Sequence, residues 1–260
     1  MDLVKEYNTA RQVATKSFMF SEAITTILDR GWAISSDLEK GIGRNGVLVT
    51  GINPSYDGNP GEGKYNYSDA ISYLDICEKK KGWHIKQQYW IRAKEVFGCP
   101  GELTSNIGFI DLFPIRCKEQ SDFMRFDAED KNFILKSNLL KVTQNAIEQM
   151  CPKIIIHANK TSGYYWGIDK HSPWMGYVTE SVLDSKEDIP CEIRELWRPD
   201  IDIRIITDVS KDERCIWKGP SQLVDKKSYL VIYKQLGYQY IKNPREDRKV
   251  FERLFHLLGV

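Results

Sequence analysis

The sequence predicts an α/β protein with a three-layer α/β/α architecture around a central, mainly parallel, four-stranded sheet. Four short apolar runs have the length and the β-branched composition of buried strands. They lie at Gly46–Thr50, Asn106–Leu112, Lys153–His157 and Ile201–Thr207. Helical stretches separate these runs, and this alternation is typical of a parallel sheet covered by helices.

The predicted helices precede, separate and follow the strands. They cover Asp2–Arg30, Ser68–Lys80, His84–Phe97, Asp127–Met150, Gln222–Leu236 and Arg245–Leu258. Ser68 and Asp127 are suitable N-caps, because a short side-chain oxygen accepts hydrogen bonds from the first backbone N–H groups of a helix. A further strand is predicted within Gly176–Leu183, in an insertion between the third and fourth core strands.

Composition favours one globular domain over residues 1–260. Of the 260 residues, 42% are hydrophobic and 12% aromatic, which is enough to build a core. We find no repeat and no linker rich in Pro, Gly or Ser that would divide the chain. The 37 Lys and Arg residues balance 36 Asp and Glu residues, so the net charge is +1. Any surface that binds nucleic acid must therefore be local.

The cysteine and histidine spacings argue against a metal site. The six cysteines are at least 18 residues apart, so no CxxC pair exists, and the four histidines lack paired metal spacing. We therefore expect buried thiols, no metal and no cofactor. No signal segment opens the chain and no apolar run approaches the ~20 residues that span a bilayer. These features predict a cytoplasmic monomer without a membrane partner.

Polar residues follow each predicted core strand, at the place where open α/β sheets bind ligands. The four strand endings are Gly51–Tyr56, Asp111–Arg116, His157–Asn159 and Asp208–Ser210. In a parallel sheet all four endings can converge on one crevice. The sequence therefore predicts a ligand site formed by these endings.

The first ending has the strongest local signature. Gly51 lets the backbone approach a ligand, and Pro54 rigidifies the turn so that the Asn53 amide keeps one direction. That amide both donates and accepts hydrogen bonds. The segment Tyr56–Tyr67, YDGNPGEGKYNY, is rich in Gly, Pro and Asn and therefore predicts a shaped loop.

The segment GINPS, which follows a hydrophobic run in Val47–Tyr56, resembles the first motif of the uracil-DNA glycosylase superfamily, whose mismatch-specific branch has GINPG there. QYWIRAKEVFG at Gln88–Gly98 is similar to the Asn-Arg-Phe-Trp helix of that branch. PKIIIHANKTSG at Pro152–Gly163 resembles the strand that ends in a uracil-reading Asn. With NIGFIDLFPIR at Asn106–Arg116, the resemblance covers the scaffold from about Val47 to Ser210, and only GINPS is specific to a motif.

The resemblance implies a uracil-DNA glycosylase-like fold and a monofunctional DNA N-glycosylase. Such an enzyme hydrolyses the N-glycosidic bond of a flipped, uracil-like pyrimidine in DNA. As catalytic residues the resemblance implies Asn53, which would orient the attacking water, with Asp208 assisting. The second motif of the family, His-Pro-Ser, falls at Asp208-Val209-Ser210, where only Ser210 remains. The usual electrophilic His is therefore absent, and without clustered cysteines no iron-sulfur cluster is implied.

The resemblance also implies a set of substrate-binding residues. Asn159 would read the pyrimidine edge with one donor and one acceptor, and Tyr65 or Tyr67 would stack on the face of the base. The remaining residues of the first motif would line the base pocket; they are Gly51, Ile52, Pro54 and Ser55. Ser55 stands where the classical uracil enzymes use a bulky Tyr to exclude the thymine methyl group.

Each of these residues also has a purely structural interpretation. Asn53 lies in an Asn-Pro-Ser sequence that forms good turns, and Asn159 can cap a helix that begins near Thr161. Asp208 and Ser210 can form a strand-ending turn. At the level of function, the alternative is a glycosylase-fold protein that binds nucleic acid, a nucleotide or a protein partner without cleavage. The near-neutral charge and the missing His favour that alternative.

Overall fold

A computed structural model describes residues 1–17, 19–32, 41, 43–52, 77–78, 88–99, 101–117, 119–129, 132–168, 174–236 and 240–260. These residues form an α/β protein with a mixed six-stranded sheet. The strands are β1 (Val47–Gly51), β2 (Ile107–Asp111), β3 (Ile154–His157), β4 (Tyr177–Ser181), β5 (Ile201–Val209) and β6 (Tyr229–Tyr233). Their order in the sheet is β2-β1-β3-β6-β5-β4.

Strand direction divides the sheet into two parts. β2, β1, β3 and β6 are parallel to one another, whereas β5 runs antiparallel to both β6 and β4. The prediction of four core strands that included Ile201–Thr207 as a parallel member is therefore wrong. The fourth parallel strand is β6, which lies inside the segment predicted as the helix Gln222–Leu236.

The segment Gln222–Leu236 was predicted as a helix but contains β6, and its sequence explains the error. Only Gln222–Asp225 of the predicted helix is helical, and all five residues of the following β6 sequence, YLVIY, are buried. A short apolar run buried on both faces has no alternation, so periodicity does not distinguish it from a buried helix. The predicted extra strand within Gly176–Leu183 is confirmed as β4.

The helices have the following bounds. They are α1 (Leu3–Ser17), α2 (Glu22–Asp29), α3 (Gln88–Phe97), α4 (Gln120–Ala128), α5 (Phe133–Met150), α6 (Cys191–Glu195), α7 (Gln222–Asp225), α8 (Pro244–Leu258) and a 3-10 helix over Lys160–Trp166. None of the described helices has the length and apolar character needed to cross a membrane.

The helices pack on both faces of the sheet. Leu48 of β1 belongs to an apolar cluster with α1, α2 and α5, whereas its neighbours Val47 and Val49 belong to a second cluster with α3 and α8. Successive residues of a strand point to opposite faces, so each buried strand contributes to both clusters. This double burial explains why the strand sequences are continuously apolar.

Two predicted helix boundaries are wrong. Asp2–Arg30 forms two helices, because Ser21 caps a new one by accepting a hydrogen bond from the backbone N–H of Ile24. Asp127 caps no helix and lies in the last turn of α4. Its carboxylate instead accepts from the hydroxyl groups of Tyr164 and Tyr165. The other predicted cap, Ser68, lies outside the described residues.

The six cysteines are free. Cys117, Cys151 and Cys215 are buried, as predicted for inert thiols. Cys77 and Cys99 are half-buried and Cys191 is exposed at the start of α6, so the prediction of buried thiols holds for only three of the six.

Candidate functional site

The carboxyl edge of the parallel strands brings three of the four predicted strand endings side by side. Gly51 of β1 is in register with Asp111 of β2, and Thr50 is in register with His157 of β3. Backbone hydrogen bonds continue past the strands, from Leu112 N to Gly51 O at 3.0 Å and from Ala158 N to Thr50 O at 2.7 Å. This edge is our candidate active site.

The closest approach at this edge is between Gly51 and Asp111. A Cβ atom on Gly51 would overlap Oδ1 of Asp111, so only glycine leaves room for the carboxylate. Burial raises the pKa of Asp111 to about 7, although the carboxylate accepts a hydrogen bond from the backbone N–H of Gly51, which lowers the pKa. Burial, and secondly the negative charge of Asp111, raises the pKa of Tyr89 well above its ordinary value. Asp111 therefore exchanges its proton near neutral pH.

His157 is fully buried on the opposite face of the sheet from Asp111. Its Nδ1 lies 3.0 Å from Thr50 Oγ1 and its Nε2 lies 2.8 Å from Ser162 Oγ. Burial lowers its pKa to about 3, so the imidazole is neutral. Ser162 Oγ donates to Asn159 O at 3.1 Å, so we infer that Nε2 carries the hydrogen and donates to Ser162 Oγ. The prediction of a satisfied buried imidazole is confirmed.

Asn159 follows β3 and immediately precedes the 3-10 helix. It is buried, and its Oδ1 accepts a hydrogen bond from Thr161 Oγ1 at 2.7 Å. The side chain makes no capping hydrogen bond to the backbone of that helix. Thr161 therefore holds the amide in a fixed orientation at the carboxyl edge, as a group that reads a ligand requires.

Asp208 and Ser210 lie at the other edge of the sheet. Because β5 is antiparallel to β6, the chain leaves β5 where β6 begins, with Ile205 opposite Tyr229. Asp208 pairs with Val178, and Ser210 N donates to Gly176 O at 2.7 Å. The prediction that all four strand endings converge on one crevice is therefore wrong for β5.

Local hydrogen bonds at the end of β5 favour the structural interpretation. Asp208 Oδ1 accepts from the backbone N–H of Val209 at 2.7 Å, and Ser210 Oγ accepts from that of Asp212 at 3.1 Å. Short polar side chains make such bonds in turns that end strands. The structure thus separates these two residues from Gly51 and Asn159.

The described part of the first motif ends at Ile52. Ile52 is buried, and its carbonyl accepts a hydrogen bond from Phe113 N at 2.9 Å, so the chain leaves β1 in contact with the chain leaving β2. The other predicted residues of this motif and its loop lie outside the described residues; they are Asn53, Pro54, Ser55, Tyr65 and Tyr67.

Sequence reasoning placed Asp111 at a strand ending but did not include it among the site residues. The sequence offered one signal: Asp111 is an acidic residue that directly follows a buried apolar run. That run belongs to the predicted strand before the helical stretch Asp127–Met150. The significance of this signal depends on the adjacency of β1 and β2, which the sequence does not state. Tyr89 carried no comparable signal, because aromatic residues in helices usually pack in cores.

Within the described ranges, no group of three or more His, Cys, Asp or Glu side chains is arranged to hold a metal ion. No protein-family model matches the chain, and no curated protein shows significant similarity to it.

Proposed function

We propose that the chain is a DNA N-glycosylase that hydrolyses the bond between deoxyribose and a flipped, uracil-like pyrimidine, on a uracil-DNA glycosylase-like fold. One observation carries this proposal. The strand that leads into GINPS and the strand that leads into Asn159 are neighbours in parallel register, with Thr50 opposite His157. The two segments that resemble the glycosylase motifs thus leave the sheet at the same edge, where α/β sheets bind ligands.

The proposed roles follow from the chemistry of the side chains. Asn159 offers an amide oxygen and an amide nitrogen, which complement one donor and one acceptor on a pyrimidine edge. Asn53, one residue beyond Ile52, orients the water that attacks the sugar. Tyr65 or Tyr67 stacks on the flipped base, while Pro54 and Ser55 contribute to its pocket. The partner in this proposal is DNA, bound by a monomer.

Oligonucleotide cleavage tests this proposal. Single- and double-stranded oligonucleotides that carry uracil, a thymine mismatch or hypoxanthine are incubated with the protein, and abasic sites are then cleaved with alkali. We expect cleavage at uracil. Asn159→Ala should slow cleavage about 10-fold or more, since it removes two hydrogen bonds to the base. Asn145→Ala, in the middle of α5, is the matched control.

If the wild-type protein leaves every oligonucleotide intact while a control glycosylase cuts, the proposal is overturned. In that case the second candidate function is binding of nucleic acid without cleavage. The position of Asp208 and Ser210 away from the carboxyl edge favours this alternative, because nothing at the end of β5 replaces the absent His. Retention of an oligonucleotide by the wild-type protein, without cleavage, would support it.

A further inference from the structure

β4 is the outer strand of the described sheet at the end away from β2, and it pairs with β5 on one side. The outer edge of a strand presents backbone N–H and C=O groups that can pair with a strand of another molecule. Val178, on β4, and Leu183, in the turn after it, are 37% and 47% exposed, so apolar side chains accompany this edge. These are the properties of a surface at which copies of a chain associate.

The hydrogen bonds of β4 show which of its backbone groups face outward. Gly176 O accepts a bond of 2.7 Å from the chain leaving β5, and Val182 N donates one of 3.0 Å to β5. The register shift between the two strands is taken up by an extra residue of β5, Thr207, so the alternation along β4 is uninterrupted. In an antiparallel pair alternate residues bond to the same neighbour. The carbonyl groups that point away from β5 are therefore those of Tyr177, Thr179 and Ser181.

Two of these three carbonyl groups are covered by backbone. Ser181 O accepts hydrogen bonds from the N–H groups of Asp184 and Ser185 in the following turn, at 3.1 and 2.9 Å. Tyr177 O lies against Gly167, where a Cβ atom would approach the carbonyl oxygen to 2.4 Å. Gly167 is the C-cap of the 3-10 helix, so the end of that helix excludes an incoming strand at this point.

The third carbonyl group, that of Thr179 in the middle of the strand, is covered by a side chain. Arg204 of β5 donates from Nη2 to Thr179 O at 3.2 Å and from Nε to Thr179 Oγ1 at 3.0 Å. Asp202 accepts from Nη1 of the same guanidinium at 3.1 Å. The planar guanidinium has N–H groups in a fixed fork, which allows one side chain to make all three contacts.

We propose that Arg204 keeps the outer edge of β4 from pairing with β4 of a second copy of the chain, a role that is independent of the proposed glycosylase function. Two copies of β4 can pair antiparallel about a twofold axis, with Thr179 opposite its own counterpart, because such a contact is isologous. That pairing requires Thr179 O to accept a hydrogen bond from the second strand. Arg204 occupies this acceptor and places its guanidinium where the second backbone would lie.

Two variants of the full chain test this role. Arg204→Ala removes all three contacts, whereas Arg204→Gln places an amide nitrogen near the position of Nε and loses only the groups beyond it. Sedimentation equilibrium between ~10 µM and ~1 mM brackets the weak affinity expected, a Kd of about 100 µM, since two short strands bury little surface. The wild type should keep the monomer mass of 30.1 kDa, and both variants should approach twice that mass as the concentration rises. Arg214→Ala is the matched control, because Arg214 also pairs with an Asp two residues earlier but lies outside β4 and β5.

A third variant locates the contact on β4. Thr179→Pro, combined with Arg204→Ala, removes the outward N–H of the strand and leaves the hydrogen bonds to β5 intact, so the double variant should be monomeric again. If both Arg204 variants keep the monomer mass at the highest concentration, Arg204 does not protect this edge. Association that persists in a double variant with the circular dichroism of the wild type would place the contact elsewhere and would also overturn the proposal. If Arg204→Ala does not fold, Arg204→Gln decides, because it retains the contact with Thr179 Oγ1.

Discussion

Two carboxylates, one near the amino ends of the parallel strands and the other at their carboxyl ends, have contrasting environments. Glu148, near the end of α5, accepts hydrogen bonds from Tyr177 Oη at 2.8 Å, Ser221 Oγ at 2.7 Å and the backbone nitrogen of Gln222 at 2.8 Å. Asp111, at the carboxyl edge, accepts one from the backbone of Gly51 and has no cationic partner among the described residues.

The two environments indicate different roles for the two carboxylates. The three donors around Glu148 join α5, β4 and α7, so that carboxylate stabilises the packing of one edge. Asp111 lacks such compensation, and its burial costs stability when it is ionised. Proteins tolerate that cost chiefly where the group is needed for function. One end of the sheet is thus stabilised by a fully hydrogen-bonded carboxylate, whereas the carboxyl edge, our candidate site, contains a carboxylate that its described surroundings compensate much less.

The largest effect is expected from Glu148→Ala. This change leaves the Tyr177 and Ser221 hydroxyl groups and the Gln222 N–H without their acceptor, so the free energy of unfolding should fall by about 3–5 kcal/mol. Urea denaturation measures it, with Glu6→Ala on the exposed side of α1 as the control. A loss below about 1 kcal/mol would mean that this network does not stabilise the edge.

Asp111→Asn should have the reverse effect on stability. The pKa of Asp111 rises from 3.8 in the unfolded chain to about 7 in the fold, so its protonation stabilises the fold below pH 4 and this contribution disappears as the pH rises to 7. Asn does not ionise. The variant should therefore match the wild type at pH 4 and exceed it by about 2–4 kcal/mol at pH 8. Urea denaturation at both pH values tests this, and equal stabilities at pH 8 would contradict the shifted pKa.

Gly51→Ala should displace the Asp111 side chain at the carboxyl edge. The new methyl group overlaps the Asp111 carboxylate, which must move, at a cost of about 1–3 kcal/mol. Gly219→Ala is the matched control, since the nearest atom to its added methyl group is 3.5 Å away. Thermal denaturation and the cleavage assay should both report a loss for Gly51→Ala alone. If the two variants behave alike, the close packing of Asp111 on Gly51 is wrong.

The smallest effect is expected from Asp208→Asn. Asp208 is exposed, and its hydrogen bond to the Val209 N–H can be made by an amide oxygen. Stability should change by no more than about 0.5 kcal/mol, and cleavage by less than about twofold. A tenfold loss of cleavage would show that the end of β5 does take part in the site.

The sequence predicted the first three strands along the chain to within a residue or two. Gly46–Thr50, Asn106–Leu112 and Lys153–His157 correspond to β1, β2 and β3, because strands buried on both faces are short continuous apolar runs. The same property concealed β6, whose run YLVIY follows a short helix and was assigned to it. Asn159 was predicted from its position after β3, and the structure adds the Thr161 hydroxyl that orients it.

By itself, the sequence determined the α/β class, the strands β1, β2 and β3 and the polar residues that follow them, because these depend on local hydrophobicity and turn chemistry. Only the tertiary structure decided that β5 is antiparallel, since strand direction depends on the path of the connections and not on the pattern of the strand. That direction removed Asp208 and Ser210 from the carboxyl edge. The adjacency of β1 and β2 placed Asp111 over Gly51, and burial in that position brings its pKa close to neutrality.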